Sequence, residues 1–215
     1  MNAHSLSEAA PRLSYRRVER FARRRRILDA AEAVFSARGY YEASITEIAM
    51  RAGLAAGTIY LYFRDKADLY GSVIVEKMDE VVSRVEAASK SDVSAKRSLR
   101  AAVQELFAYH EANSQFFELF LHQQQMARSP LNGSHWKEME ELKRRNLSSI
   151  ERCVLRGQQN GELKSGDARL YAVAFLGITL QMIRQRLREQ SKGDVNASVD
   201  FVADCFLNGA TLLRS

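Results

Sequence analysis

Between Ser44 and Lys66 the chain gathers Ser44, Thr46, Thr58, Tyr60, Tyr62 and Lys66, a set of hydroxyls, phenols and one ammonium. Such groups donate hydrogen bonds to an anion, and phosphate oxygens are the partners that suit them best. Thr58 also carries a methyl group able to meet a thymine methyl. The neighbouring Ala55, Ala56 and Gly57 are small enough to let a foreign backbone or phosphate come close. Catalytic chemistry finds no comparable support. The sequence has no GxSxG, GxxxxGK[ST], HExxH or dinucleotide-type glycine pattern, and its four histidines stand at no recognised spacing from a nucleophile or carboxylate. The chain reads as a non-enzyme, and neither a cofactor nor a metal is expected.

These residues need elements to hold them. Ile27, Leu28, Ala31, Val34 and Phe35 recur at helical spacing up to Gly39. Ser44 with Glu47 three residues on forms a capping box that starts a second helix at Ile45, with Ile48 and Ala49 facing inward and Gly53 ending it. Leu54 must be buried to hold the turn. Ile59 and Phe63, four apart, mark the inner face of a third helix, and Asp65 with Asp68 caps another that begins at Lys66. Two short helices joined by a glycine turn can place one of them in the major groove of DNA. Most of the polar groups would then position the protein, and few would read bases. The same spacing also fits a plain three-helix bundle with surface tyrosines.

The run ILDAAEAVFSARGYYEASITEIAMRAGLAAGTIYLYFRDKADLY resembles the DNA-binding domain of TetR-family transcriptional regulators. Phe35, Gly39, Tyr40, Ser44, Ile48, Ala49, Ala52, Gly53, Leu54, Gly57, Thr58, Tyr60, Phe63, Lys66 and Leu69 carry the likeness. It implies that Thr46, Ala56, Thr58, Tyr60, Tyr62 and Lys66 contact DNA, with Ser44 and Gly57 beside them. Leu61 stands where the family often has a polar residue. The implied architecture is all-α with about nine helices. A basic, partly disordered tail would occupy 1–21, the helix-turn-helix domain 22–68, and a larger ligand-binding and dimerisation domain 69–215.

Charge sharpens this division. The 215-residue chain has a formal net charge of +6, and its first 26 residues hold eight arginines against Glu8 and Glu19, which accounts for the whole excess. Neighbouring arginines neutralise phosphates without fixed geometry, so Arg16 to Arg26 are expected on the DNA backbone or in the minor groove. The N-terminus is too basic for a secretory signal, and the longest mostly apolar run, Leu170 to Ile183, is shorter than the roughly 20 residues a membrane span needs. Cys153 and Cys205 lie in helical patterns and read as reduced thiols of a soluble, cytoplasmic protein.

Beyond Leu69 the apolar spacing predicts helices from Asp65 to about Ser89, around Leu99–His110, around Phe116–Leu121, from Trp136 to near Gly157, over Asp167–Gln190 and over Val195–Leu213. Phe107, His110, Phe117, Phe120, Gln124, Trp136, Met139, Asn146, Phe175 and Met182 are the candidates to line an apolar cavity in this part. Each fits an ordinary core position as well. The helix from Asp167 is apolar on two faces, and Val195, Val199, Val202, Phe206, Gly209 and Leu213 form a stripe on the last one. The family resemblance implies that these two helices pair with their symmetry mates, making a homodimer that spans a palindromic operator.

The ligand class stays open between two readings. GTIYLYF and GQQNGELKSGDARLYAVAFLG are similar to the subgroup of the family that senses long-chain acyl-CoA and controls fatty-acid metabolism. The commoner subgroup senses lipophilic or cationic compounds and represses multidrug efflux. An acyl-CoA calls for cations at the cavity, with Arg128, Lys137, Arg144, Arg145, Arg184 and Arg188 available. A cationic drug calls for a buried carboxylate, with Glu111 or Glu118 the nearest.

Overall fold

The apolar stripe from Ile27 to Phe35 is buried, and the helix that carries it is longer than that spacing predicts. In the computed structural model, helix α1 runs His4–Glu42, with Gly39 at φ 75° breaking its path near the end. The stretch expected as a partly disordered tail therefore continues α1 back to His4. Beyond Pro11, arginine, leucine and glutamate make up most of residues 12–21 and no glycine interrupts them, so local preference favours helix there. The structure describes the backbone of residues 4–90, 94–124, 131, 133–189 and 193–210, and their side chains except at 4–16, 119–120, 122–124 and 210.

Eight more helices follow among the described residues: α2 (Ile45–Arg51), α3 (Ala56–Ile59), α4 (Lys66–Ser89), α5 (Ala95–Ala112), α6 (Ser114–Gln124), α7 (Gly133–Gln159), α8 (Ala168–Glu189) and α9 (Val195–Ala210). No strand occurs among the described residues. The all-α expectation of about nine helices holds. The residue range reaching Leu213 ends outside the described residues.

The chain divides into two compact units, one through Val73 and one from Ile74 onward. The boundary falls inside α4, where Leu69, Tyr70 and Val73 are buried on the side of the first unit; sequence reading divides the same helix a few residues earlier, at 68/69. Within that unit Ile27, Phe35, Ile48, Ile59, Phe63 and Leu69 form the core, and Phe35 meets Tyr70 edge-on at 5.0 Å. Each such side chain contributes about 1.5–3 kcal/mol by leaving water.

In the second unit α5 packs against α6, α7, α8 and α9, and α8 against α6, α7 and α9. Leu99, Val103 and Leu106 of α5 are buried with Ile150 and Val154 of α7 and Val202 and Phe206 of α9. The α7–α8 connection is clasped to the start of α5. A Cβ on Gly157 would come within 2.7 Å of both Ala95 and Leu163, so only glycine permits this approach. Glu162 accepts hydrogen bonds from Ser94 Oγ at 2.6 Å and from the amides of Ala95 and Lys96 at 3.3 Å, capping α5 from outside its own segment. Burial pushes the Glu162 carboxyl pKa up, but these donors outweigh it and hold the value below the ordinary one. The segment 157–163 is thus held by backbone fit and capping. No described helix is long and apolar enough to cross a membrane.

Candidate DNA interface and ligand cavity

The turn between α2 and α3 is built by hydrogen bonds the sequence could specify locally. Ser44 Oγ accepts from the Glu47 amide at 3.1 Å, which fixes the start of α2. At the other end Gly53 adopts φ 65°, the Gly53 amide donates to Met50 O at 3.1 Å and the Leu54 amide to Ala49 O at 2.9 Å. That pair of bonds is a Schellman motif, and its left-handed residue favours glycine. Arg26 donates to Ala52 O at 2.6 Å, using one of the carbonyls the helix end leaves unpaired. Helix α3 spans one turn and is prolonged by the Phe63 amide donating to Ile59 O at 3.0 Å. Ile59 and Phe63 point inward together, as their spacing predicts.

This leaves a polar rim. Ser44, Thr46, Gly57 and Tyr60 are exposed, and Ala56, Thr58, Tyr62 and Lys66 are half-buried. Leu61 and Met50 are also exposed, so the rim has apolar members beside the polar ones. Lys66 is more committed than its sequence reading allows. Its ammonium donates to Tyr41 O at 3.2 Å and Ala43 O at 3.1 Å and stands 4.6 Å from the Tyr40 ring centroid. Two of its three donors therefore bind the α1–α2 junction, and a structural duty is added to any contact with DNA.

In the second unit a cavity of about 230 Å³ lies among α4, α5, α6, α7 and α8. Its apolar wall includes Met78, Val81 and Val82 of α4, Leu106 of α5, Phe117 of α6, Met139 and Leu142 of α7, and Ile183 and Leu187 of α8. His110, Asn146, Lys143 and Arg184 add the polar groups, and no carboxylate lines it among the described residues. His110 lies 4.2 Å from the Phe117 ring with Nδ1 bonded to Leu106 O at 2.7 Å. Burial pulls its pKa below the ordinary value, with that hydrogen bond opposing, so the imidazole is held neutral. Asn146 Oδ1 is buried with no hydrogen-bond partner among the described residues.

A family model described as "Bacterial regulatory proteins, tetR family" matches residues 27–73, the span of this helix-turn-helix unit. The "Fatty acid metabolism regulator protein" of Bacillus subtilis is 28% identical over 184 residues, covering 85% of this chain and 93% of that protein. The "HTH-type transcriptional regulator TtgW" of Pseudomonas putida, described as uncharacterized, is 32% identical over 102 residues, 46% of this chain and 73% of its own length. Among solved structures, the transcriptional regulator FadR of Bacillus subtilis in complex with stearoyl-CoA has a TM-score of 0.72 at 28% identity, covering 86% of this chain and 97% of its own.

The chain belongs to the TetR family. It is a DNA-binding transcriptional regulator and not an enzyme.

Of the cavity residues proposed for this TetR-family regulator from sequence, His110, Phe117, Met139 and Asn146 do line the cavity. Phe107 does not, being buried in the α5 core. Phe175 is also core, packed at 5.1 Å against Phe206. Trp136 faces outward, half exposed, with the Lys143 ammonium 5.2 Å from its ring. Met182 is half-buried away from the lining, and the side chains of Phe120 and Gln124 lie outside the described residues. The α4 contribution was missed, although Met78, Val81 and Val82 stand at helical spacing. Among the cations, Arg184 is at the cavity, whereas Arg144 pairs with Glu141 and Arg145 with Asp79 at 2.6 Å and Glu86 at 2.8 Å. Arg128 lies outside the described residues. Glu111, a candidate partner for a cationic ligand, is exposed and stands 3.6 Å from Arg186.

The expected apolar stripe of α9 also needs correction. Val199, Val202 and Phe206 are buried within the unit and close its own core. Helix α8 instead keeps an uncovered row of Leu170, Val173, Ala174 and Gly177, and Phe201 and Cys205 of α9 are exposed too.

Proposed function

We propose that this regulator is a homodimeric repressor of a palindromic operator, released when a long-chain acyl-CoA or a closely similar apolar ligand enters the second unit. The lining of the cavity carries the reading. Its wall is apolar and methionine-bearing, its charged members are the cations Arg184 and Lys143, the latter with its ammonium paired to Glu140 at 2.7 Å, and no carboxylate faces it among the described residues. An anionic headgroup with an apolar tail matches that set, whereas a lipophilic cation would meet repulsion. The likeness to a regulator solved with stearoyl-CoA supports the same class. At about 230 Å³ the cavity is smaller than the roughly 300–1,000 Å³ that drug-sized ligands occupy, so a long chain must widen it. Met78 and Met139 supply walls that can reshape.

Widening supplies the release. Met78, Val81 and Val82 belong to α4, the same helix whose Leu69 and Tyr70 are core residues of the DNA-binding unit. A ligand that displaces them shifts α4, and it favours the released state only as far as it binds that state more tightly. On the DNA side, Ser44, Thr46, Ala56, Gly57, Thr58, Tyr60, Tyr62 and Lys66 are the proposed contacts. Gly57 supports this, since open space surrounds the position of its missing Cβ and nothing in its own unit demands glycine there. The uncovered row on α8, with Leu170 67% exposed, supplies the dimer face. A two-fold dimer would set two recognition helices about 34–36 Å apart on successive major-groove turns; a monomer in sedimentation at micromolar concentration would remove that part.

The test is a thermal-shift panel of palmitoyl-CoA, stearoyl-CoA, free CoA and lipophilic cations. The long-chain acyl-CoAs should raise the melting temperature and dissociate protein–DNA complexes. Stabilisation by the cations alone would overturn the ligand assignment.

A further inference from the structure

The buried stripe of α1 does not stop where its cover stops. Stepping back by three or four residues from Phe35, Ala31 and Leu28 along the same helical face leads to Arg24, then Phe21 and Arg20, then Arg17. The inner half of this stripe is core, while Phe21 is 72% exposed and the three arginines are exposed with it. The surrounding arginines are engaged within the chain. Arg23 pairs with Glu19 at 2.6 Å, Arg25 with Asp29 at 2.9 Å, and Arg26 holds Ala52 O. Arg17 and Arg20 make no hydrogen bond or ion pair with any described residue. Arg24 marks the side on which the stripe lies: its guanidinium stands 5.3 Å over the Phe63 ring, directly after the Tyr60–Tyr62 turn that follows α3.

We infer that this N-terminal stretch of α1 is a second DNA-binding element, a helical rail on which Arg17, Arg20 and Arg24 track the phosphate backbone beside the segment touched by α3. The inference rests on the DNA-binding reading of the first unit and adds an interface to it. Charge complementarity names the occupant: a helix face that turns from apolar to cationic, continuous with the side carrying the recognition turn, fits a polyanion lying across both. From Arg17 to Arg24 the helix rises about 10 Å, the length of roughly three base steps. Because the backbone is already helical, the guanidinium groups are presented in fixed order, and the contribution depends on which arginines are removed and not only on how many.

That dependence is the test. Affinity for a fluorescent random-sequence duplex is measured by anisotropy over a range of salt concentrations, for the full chain and three double variants, with melting temperatures recorded for each. Arg17→Ala/Arg20→Ala should lower the steepness of log K against log salt by roughly 1.8 for each protomer on the DNA, about 0.9 for each lost phosphate contact. Arg17→Lys/Arg20→Lys should retain the wild-type slope. Arg23→Ala/Arg25→Ala removes the same formal charge from other faces and should leave the slope nearly unchanged. Equal losses from the two alanine pairs, or none from either, overturn the rail. Failure of the wild-type chain to bind any duplex would instead strike at the DNA-binding reading itself.

Discussion

The two units use their polar side chains in opposite ways. In the helix-turn-helix unit, groups that look free in the sequence are largely spent at home: Ser44 caps α2, Arg26 holds Ala52 O, and Lys66 holds Tyr41 O and Ala43 O. In the second unit one polar group at the cavity stays unspent: Asn146 Oδ1 is buried without a hydrogen-bond partner among the described residues. A unit that must present a rigid edge to DNA benefits from internal satisfaction, since each helix end left open would fray. A unit that must accept a ligand benefits from unsatisfied groups inside it, because an unpaired buried acceptor costs about 1–3 kcal/mol that a donor on the ligand can recover.

Filling the cavity should separate the two units most sharply. Met139→Trp puts an indole into the space among α4, α7 and α8, and it should reduce acyl-CoA affinity tenfold or more while DNA affinity in the absence of ligand is unchanged. Parallel isothermal titrations with palmitoyl-CoA and with DNA would decide, and an equal loss on both sides would break the division of labour.

Lys66→Ala comes next in size. Removing two charged hydrogen bonds to the α1–α2 junction should cost about 1–3 kcal/mol of stability, read as a lower denaturant midpoint, in addition to weakened DNA binding. Unchanged stability with weaker binding would mean that the ammonium serves DNA alone. Tyr60→Phe is the contrast: Tyr60 is exposed, so DNA affinity should fall and stability should hold.

The smallest effect belongs to His110. Its folded pKa lies below the ordinary 6.5, so between those values the unfolded chain binds more protons and stability rises with pH. The His110 contribution is complete above pH 6.5 and is lost as pH falls toward the folded value. The wild-type chain should therefore lose more stability than His110→Gln between neutral pH and mildly acidic pH, as measured by denaturant unfolding at each pH. Parallel curves for the two would show that His110 is not held neutral by the fold.

Legibility differed between the units for a physical reason. Ser44, Glu47, Gly53, Ile59 and Phe63 act on neighbours within a few residues, so their types and spacing already contain the turn, and the resemblance built on them agrees with the family match over 27–73. Phe107, Phe175 and Trp136 show the converse. Aromatic content marks an interior, but it cannot tell a core wall from a cavity wall when the partners lie on helices dozens of residues away. The α9 stripe failed likewise: apolar spacing states that a face is buried and does not say by what.

The amino-acid sequence alone determined that this chain is all-α, that a glycine-hinged helix pair occupies its N-terminal third, and that its excess charge is concentrated at the N-terminus, because capping, periodicity and composition are local quantities. Tertiary structure decided which arginines keep a free charge, which apolar face of α8 stays uncovered, and which four of ten candidate residues meet around a cavity. Those outcomes depend on the rotation of each helix against its neighbours, which is set by side-chain packing between segments far apart in the chain.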